Sequence, residues 1–117
     1  MELYPKFKVW VSGPNAEGVL GDGKWRLLDK IDKESSLKKA TDSLNISYRK
    51  AWDDIKKAEK YLGYKLLDRF RGGKMGGKTI LTEKGKEIIK AYYLFRGELD
   101  NIVNKLYNKH LKNVLGK

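Results

Sequence analysis

Hydrophobic positions between Ser36 and Leu62 repeat at helical spacing. Leu37, Ala40 and Leu44 share one face of a first helix, and Ala51, Ile55, Ala58 and Leu62 share one face of a second. Between them lies Leu44-Asn45-Ile46-Ser47. Asparagine tolerates the left-handed backbone, so Asn45 can make a sharp corner, and the Ser47 hydroxyl can cap the second helix by accepting from a free backbone N–H. Small Ala40 lets the two helices approach closely. The pattern predicts a helix-turn-helix over residues 36–62, closed by Gly63.

Other rhythms flank this stretch. Residues 6–12 alternate, with Phe7, Val9 and Val11 on one face and Lys8, Trp10 and Ser12 on the other, which predicts a half-buried strand. Gly13-Pro14-Asn15 is a turn cluster, and Val19-Leu20 is a short returning strand. Asp22 is then expected to cap a helix over roughly residues 23–33 that aligns Trp25, Leu28 and Ile31, with Leu27 alongside. Beyond Gly63, residues 65–70 and 79–81 read as strands around a glycine-rich loop, residues 71–78, that carries the three cations Arg71, Lys74 and Lys78. A hairpin directly after a helix-turn-helix is a wing. Glycine suits it, because backbone without side chains can lie close to a phosphate backbone.

Thr82 is expected to cap a last helix over roughly residues 83–114. In it Ile88, Tyr92, Phe95, Leu99, Ile102 and Leu106 alternate steps of four and three, and Val103, Tyr107, Leu111 and Val114 form a second row. A helix of about 30 residues is roughly 45 Å long. That outreaches a domain of this size, and a heptad-like seam needs a partner, most simply a second copy of itself. The expected dimer interface is therefore Ile88, Tyr92, Phe95, Leu99, Ile102 and Leu106.

The predicted fold class is α+β, mostly α: a winged helix-turn-helix with an N-terminal strand and a long C-terminal dimerisation helix. The 117 residues form one domain, with a strand region at 1–20, a core at 23–82 (wing at 65–81) and the dimerisation helix at 83–114.

Charge sharpens the choice of partner. With 26 Lys+Arg against 15 Asp+Glu, the formal net charge is +11, which favours polyanions: nucleic acid first, an anionic membrane second. No apolar run is long enough to span a membrane, and the opening MELYPKFKVWV lacks the pattern of a signal peptide. The chain contains no cysteine, so disulfides and thiolate metal sites are excluded and a cytoplasmic location is expected.

Catalytic chemistry is thin. Gly72-x-x-x-x-Gly77-Lys78-Thr79 matches the phosphate-binding P-loop by letters, but a P-loop starts a helix at its lysine, and here Lys78 opens the β-branched strand pattern Thr79-Ile80-Leu81. His110, the single histidine, falls on the tail of the last helix as a solvated group. Adjacent Asp53 and Asp54 diverge around a helix and are expected to pair with Lys56, Lys57 or Lys60. No enzyme activity and no cofactor or metal is expected.

Three motifs in order then carry a resemblance: Ser47-Tyr48-Arg49-Lys50-Ala51-Trp52, the Gly72–Gly77 segment with Lys74, and Leu81-Thr82-x-x-Gly85. Together with the opening GDGKWRLLDKID, they resemble the DNA-binding domain of the molybdate-dependent transcriptional regulators, the ModE family, over roughly residues 20–98. More remotely the chain is similar to LysR-type regulators. The resemblance implies promoter binding as a homodimer. Full-length regulators of that family continue into an oxyanion-binding domain, for which this chain has no room, so molybdate or tungstate binding is not expected. Asn45 stands where such turns usually carry glycine.

The expected double-stranded DNA contacts follow. Ser47, Tyr48, Arg49 and Lys50 would enter the major groove, Ser36 and Lys38 would sit over a phosphate, and Arg69, Arg71, Lys74 and Lys78 would hold the flanking backbone or minor groove. Trp52, one turn beyond Tyr48, faces either the DNA or the core beneath the wing. The competing reading is a protein-interaction module working with a separate sensor subunit. It requires a more apolar surface at residues 47–50.

Overall fold

The computed structural model describes residues 1–71 and 77–116. Lys74 and its neighbours at 72, 73, 75 and 76, on which the expected centre of the wing falls, lie outside them. Strands β1 (Trp10–Ser12) and β2 (Gly18–Gly21) form an antiparallel pair, followed by α1 (Asp22–Glu34), α2 (Leu37–Leu44) and α3 (Tyr48–Leu62). A second antiparallel pair, β3 (Leu67–Phe70) and β4 (Lys78–Leu81), leads into α4 (Glu83–His110) and a short α5 (Lys112–Leu115). The architecture is an α+β winged helix. No helix among the described residues is long and apolar enough to cross a membrane.

The core is assembled by the residues whose spacing announced it. Leu27, Leu28 and Ile31 of α1, Leu37 and Ala40 of α2, and Ala51, Ile55 and Ala58 of α3 are buried together with Val19, Leu66, Leu67 and Leu81. Ala40 has no exposed surface, as the close approach of α2 to its neighbours requires. The corner is made by Asn45 in the left-handed region (φ 56°, ψ 47°), with the Ile46 N–H donating to the Thr41 carbonyl. Ser36, Ser47 and Thr82 each cap the following helix through the side-chain oxygen, accepting from the N–H of Lys39, Lys50 and Gly85. Gly63 closes α3 at φ 82°.

Two buried polar arrangements hold the wing. Glu59 lies in the apolar row of α3, one helical turn after Ile55. Its carboxylate accepts from the backbone N–H groups of Leu66 (2.7 Å) and Leu67 (3.3 Å), and Lys56 lies 3.1 Å away. On the other strand, the Thr79 N–H donates to the Ser35 carbonyl at 3.1 Å, which ties β4 to the junction of α1 and α2. At the start of α4 the Thr82 hydroxyl donates to the Lys65 carbonyl, and the Thr82 N–H donates to Leu66. A Cβ at Gly85 would lie 2.6 Å from that Leu66 carbonyl oxygen, so only glycine lets the wing pass this close.

Four expectations need correction. The first strand is confined to Trp10–Ser12: its partner has four residues, the register shifts between Val11 and Ser12, and Val11 is exposed while Phe7 and Val9 are half-buried. Asp22 does not cap α1. It is the first helical residue, and Gly21 precedes it with no side-chain cap. The Asp22 carboxylate reaches across to α4 instead, accepting from the Tyr92 hydroxyl (2.6 Å) and from Arg96 Nε (3.0 Å). The last helix is interrupted at Leu111 (φ −115°), although Leu111 and Leu115 keep helical hydrogen bonds. Asp53 pairs with Arg49, one turn back, at 3.6 Å, and Lys56 takes Glu59.

Burial pushes the Asp22 carboxyl up. The Tyr92 hydrogen bond, the Arg96 hydrogen bond and charge, and the charge of Arg26 outweigh that and hold it below the usual carboxylate range. The same neighbourhood acts on Tyr92, whose hydroxyl is pushed up to about 12 by burial, by its bond to Asp22 and by the Asp22 charge. Arg96 also forms an ion pair with Asp100 and stacks on the Phe7 ring at 4.0 Å. This network fixes how α4 leaves the core.

Candidate nucleic-acid interface

Capping decides which side chains stand at the tip of α3. With Ser47 as the N-cap, Tyr48, Arg49 and Lys50 form the first turn, and Arg49 and Lys50 are exposed. The Ser47 hydroxyl is engaged by the Lys50 N–H at 3.1 Å, so its local task is the cap. Arg49 rests against Asp53 in an exposed pair.

Beside this tip, an open cleft of about 530 Å³ runs between α2 and the wing. Ser36, Lys38, Tyr48, Arg69, Arg71 and Lys78 line it, bringing six of the sequence-expected groups to one concave surface. Lys38 forms an exposed pair with Asp42 at 3.0 Å, and Ser36 caps α2. Lys78 opens β4, paired with Phe70, so the lysine of the phosphate-loop match starts a strand and not a helix. Trp52 is half-buried against the core, with Lys56 and Arg69 over its ring at 4.4 and 4.5 Å.

The expected seam on α4 divides. Ile88 packs against the chain's own core and Tyr92 is buried on Trp25 and Asp22, whereas Phe95, Ile102 and Leu106 are exposed and Leu99 is half-buried. Tyr93 and Leu94 of α4, Leu111 between the helices, and Val114 and Leu115 of α5 are exposed on other faces, and elsewhere in the chain Trp10, Val11, Ile46 and Phe70 are exposed as well. Glu59 and the Ser35–Thr79 link were not anticipated. Glu59 did leave a signal, a carboxylate standing in an apolar row. A backbone link such as Ser35–Thr79 leaves none.

A capped corner, an exposed cationic helix tip and a hairpin tied beside it define a winged helix-turn-helix. The chain belongs to the family of bacterial regulatory helix-turn-helix proteins of the lysR type, whose pattern matches residues 23–86, more than half its length. That is a family of regulators rather than of enzymes.

The chain is also ModE-like. It is 33% identical over 98 residues to the molybdenum transport protein ModE of Azotobacter vinelandii, covering 84% of this chain and 36% of the relative. It is 35% identical over 68 residues to the DNA-binding transcriptional dual regulator ModE of Escherichia coli K12 (58% of this chain, 26% of the relative). With the molybdenum-pterin-binding protein MopB of Rhodobacter capsulatus the identity is 30% over 95 residues, 81% of this chain and 34% of the relative. The chain thus spans between about a quarter and just over a third of the length of these relatives.

Proposed function

We propose that this protein binds double-stranded DNA sequence-specifically as a homodimer and regulates transcription. The observation that carries the reading is the convergence of Lys38, Tyr48, Arg71 and Lys78 around one concave, cationic surface beside the exposed Arg49 and Lys50 of the α3 tip. The tip of α3 enters the major groove, where Arg49 and Lys50 reach base edges, while Lys38, Arg71 and Lys78 meet phosphates on either side. The ion pairs seen on Arg49 and Lys38 do not oppose this. An exposed pair of this spacing contributes about 0.3–0.5 kcal/mol, whereas a bidentate arginine–guanine contact contributes about 1–3 kcal/mol.

The α3 tip itself carries a phenol and two cations at residues 48–50 rather than the apolar surface an interaction module requires, although Ile46 beside the tip and Phe70 in the cleft are exposed. The apolar row on α4 suits a dimer joined through Phe95, Leu99, Ile102 and Leu106 with two tips presented to one duplex. Binding of molybdate or tungstate is no part of the proposal.

Selection of bound fragments from a random duplex library tests it. The expected product is a palindromic site whose half-sites lie an integral number of helical turns apart. Fragments with no shared sequence would remove the specificity, and recovery of none would remove the DNA reading.

A further inference from the structure

Among the described residues Arg69 of β3 meets two partners, both on α3. Its Nη2 donates to the Tyr48 hydroxyl oxygen at 3.0 Å, and its guanidinium carbon stands 4.5 Å from the centroid of the Trp52 ring. A planar guanidinium can do both at once, by stacking on an indole while one edge donates, and an ammonium cannot.

A phenolic oxygen has two good positions in the plane of its ring, its own O–H and one lone pair. Arg69 takes the lone pair. The Tyr48 O–H can then donate only to some other acceptor, and Tyr48 and Arg69 both line the cationic cleft.

We propose that Arg69 is a positioning residue and not a phosphate clamp: it locks the wing to α3 and fixes Tyr48 as a hydrogen-bond donor toward an acceptor atom of bound DNA. The acceptor is a base-edge nitrogen or carbonyl oxygen, or a phosphate oxygen. The donor role rests on the DNA reading above, but the lock does not. Glu59 holds β3 at its base and Ser35 holds β4, so Arg69 supplies a third attachment, at the level of the recognition tip.

The experiment compares the full chain with Arg69→Gln, Arg69→Lys, Tyr48→Phe and the Arg69→Gln/Tyr48→Phe double variant. In thermal unfolding without DNA, the double variant should melt where Arg69→Gln does, and Arg69→Lys should fail to restore the midpoint. Additive shifts, or full rescue by lysine, would overturn the lock.

With the duplex selected by the wild-type chain, Tyr48→Phe should weaken binding about fivefold. Arg69→Gln should weaken it at least as much, the double variant no further than Arg69→Gln, and the salt dependence should keep its wild-type slope. A slope lower by about one ion, with additive losses, would place Arg69 on a phosphate and refute the proposal.

Base analogues that each lack one major-groove acceptor, such as 7-deazapurines, and uncharged methylphosphonates then identify the acceptor. The position to which wild type responds and Tyr48→Phe does not is the partner. If both proteins respond alike everywhere, Tyr48 donates to nothing on the DNA and that half of the proposal falls. If the wild type selects no duplex, the DNA reading and the donor role fall together, and the unfolding cycle alone decides the lock.

Discussion

Single side chains divide the proposed interface into readers and clamps, and the two behave differently when removed. Arg49→Ala should cost on the order of 1–3 kcal/mol on the selected duplex and relax preference at one base pair. Lys78→Ala should weaken selected and scrambled duplexes alike and lower the salt slope by about one ion. Titrating both variants across a salt series on both duplexes checks this, and a swap of the two patterns would reverse the roles. Glu59 works in the interior instead. Its carboxylate is the acceptor for two backbone N–H groups of the wing. Glu59→Ala leaves both without a partner, and an unsatisfied buried donor costs about 1–3 kcal/mol. Denaturant unfolding should show a loss of that size or more, and a loss below about 0.5 kcal/mol would mean that water replaces the carboxylate.

At the scale of elements, helix α4 meets its surroundings in two ways that can be told apart. Gly85 faces the Leu66 carbonyl, and Gly97 has nothing within 4 Å of where a Cβ would stand. Alanine is the better helix former by about 1 kcal/mol, so Gly97→Ala should raise the unfolding midpoint. Gly85→Ala should lower it despite the same gain, because the wing backbone must move. The junction of α1 and α4 has a pH signature. The Tyr92 hydroxyl is raised from 10.0 to about 12 in the folded chain, so its contribution is complete below pH 10.0 and is lost as pH climbs toward about 12. Asp22 is shifted the other way, so its contribution is present above the ordinary carboxylate range and fades as pH falls through it. Alkaline unfolding followed by circular dichroism should show a step that Tyr92→Phe removes, and an unchanged profile would deny the bond its role. These junctions also mark how far the sequence could be read. Periodicity, capping residues and turn residues revealed α1 to α4, the corner at Asn45 and the wing strands, because those features are local. Asp22 looks like a cap because it is a carboxylate before a helix, and nothing local says that a tyrosine 70 positions later will take it. Ile88 and Tyr92 share the spacing of Phe95 and Ile102, and periodicity alone does not say where the chain's own core ends along the helix. In the candidate site, residue types and positions were legible, but the Arg69–Tyr48–Trp52 cluster was not, since it needs the register of β3 against α3.

The whole molecule is elongated, with principal extents of 62 × 32 × 22 Å. The long dimension exceeds the length of α4, whose 28 residues span roughly 42 Å. Such a rod with an exposed apolar row is the basis for the proposed dimer. Ile102 is 52% exposed in the single chain. Ile102→Asp should convert a species of about twice the chain mass into a monomer in sedimentation, because an unpaired charge in a closed interface costs several kcal/mol. A wild-type monomer at micromolar concentration would end that part of the proposal. In such a dimer the length of α4 has a mechanical meaning. Swinging a rod of roughly 40 Å by about 5° moves its far end by about 3.5 Å, and one base pair of B-DNA rises about 3.4 Å. The four side chains Phe7, Asp22, Tyr92 and Arg96 sit at the pivot, so small changes in their packing would work like the fine screw of a pair of dividers, resetting by whole base pairs the gap the two points can span.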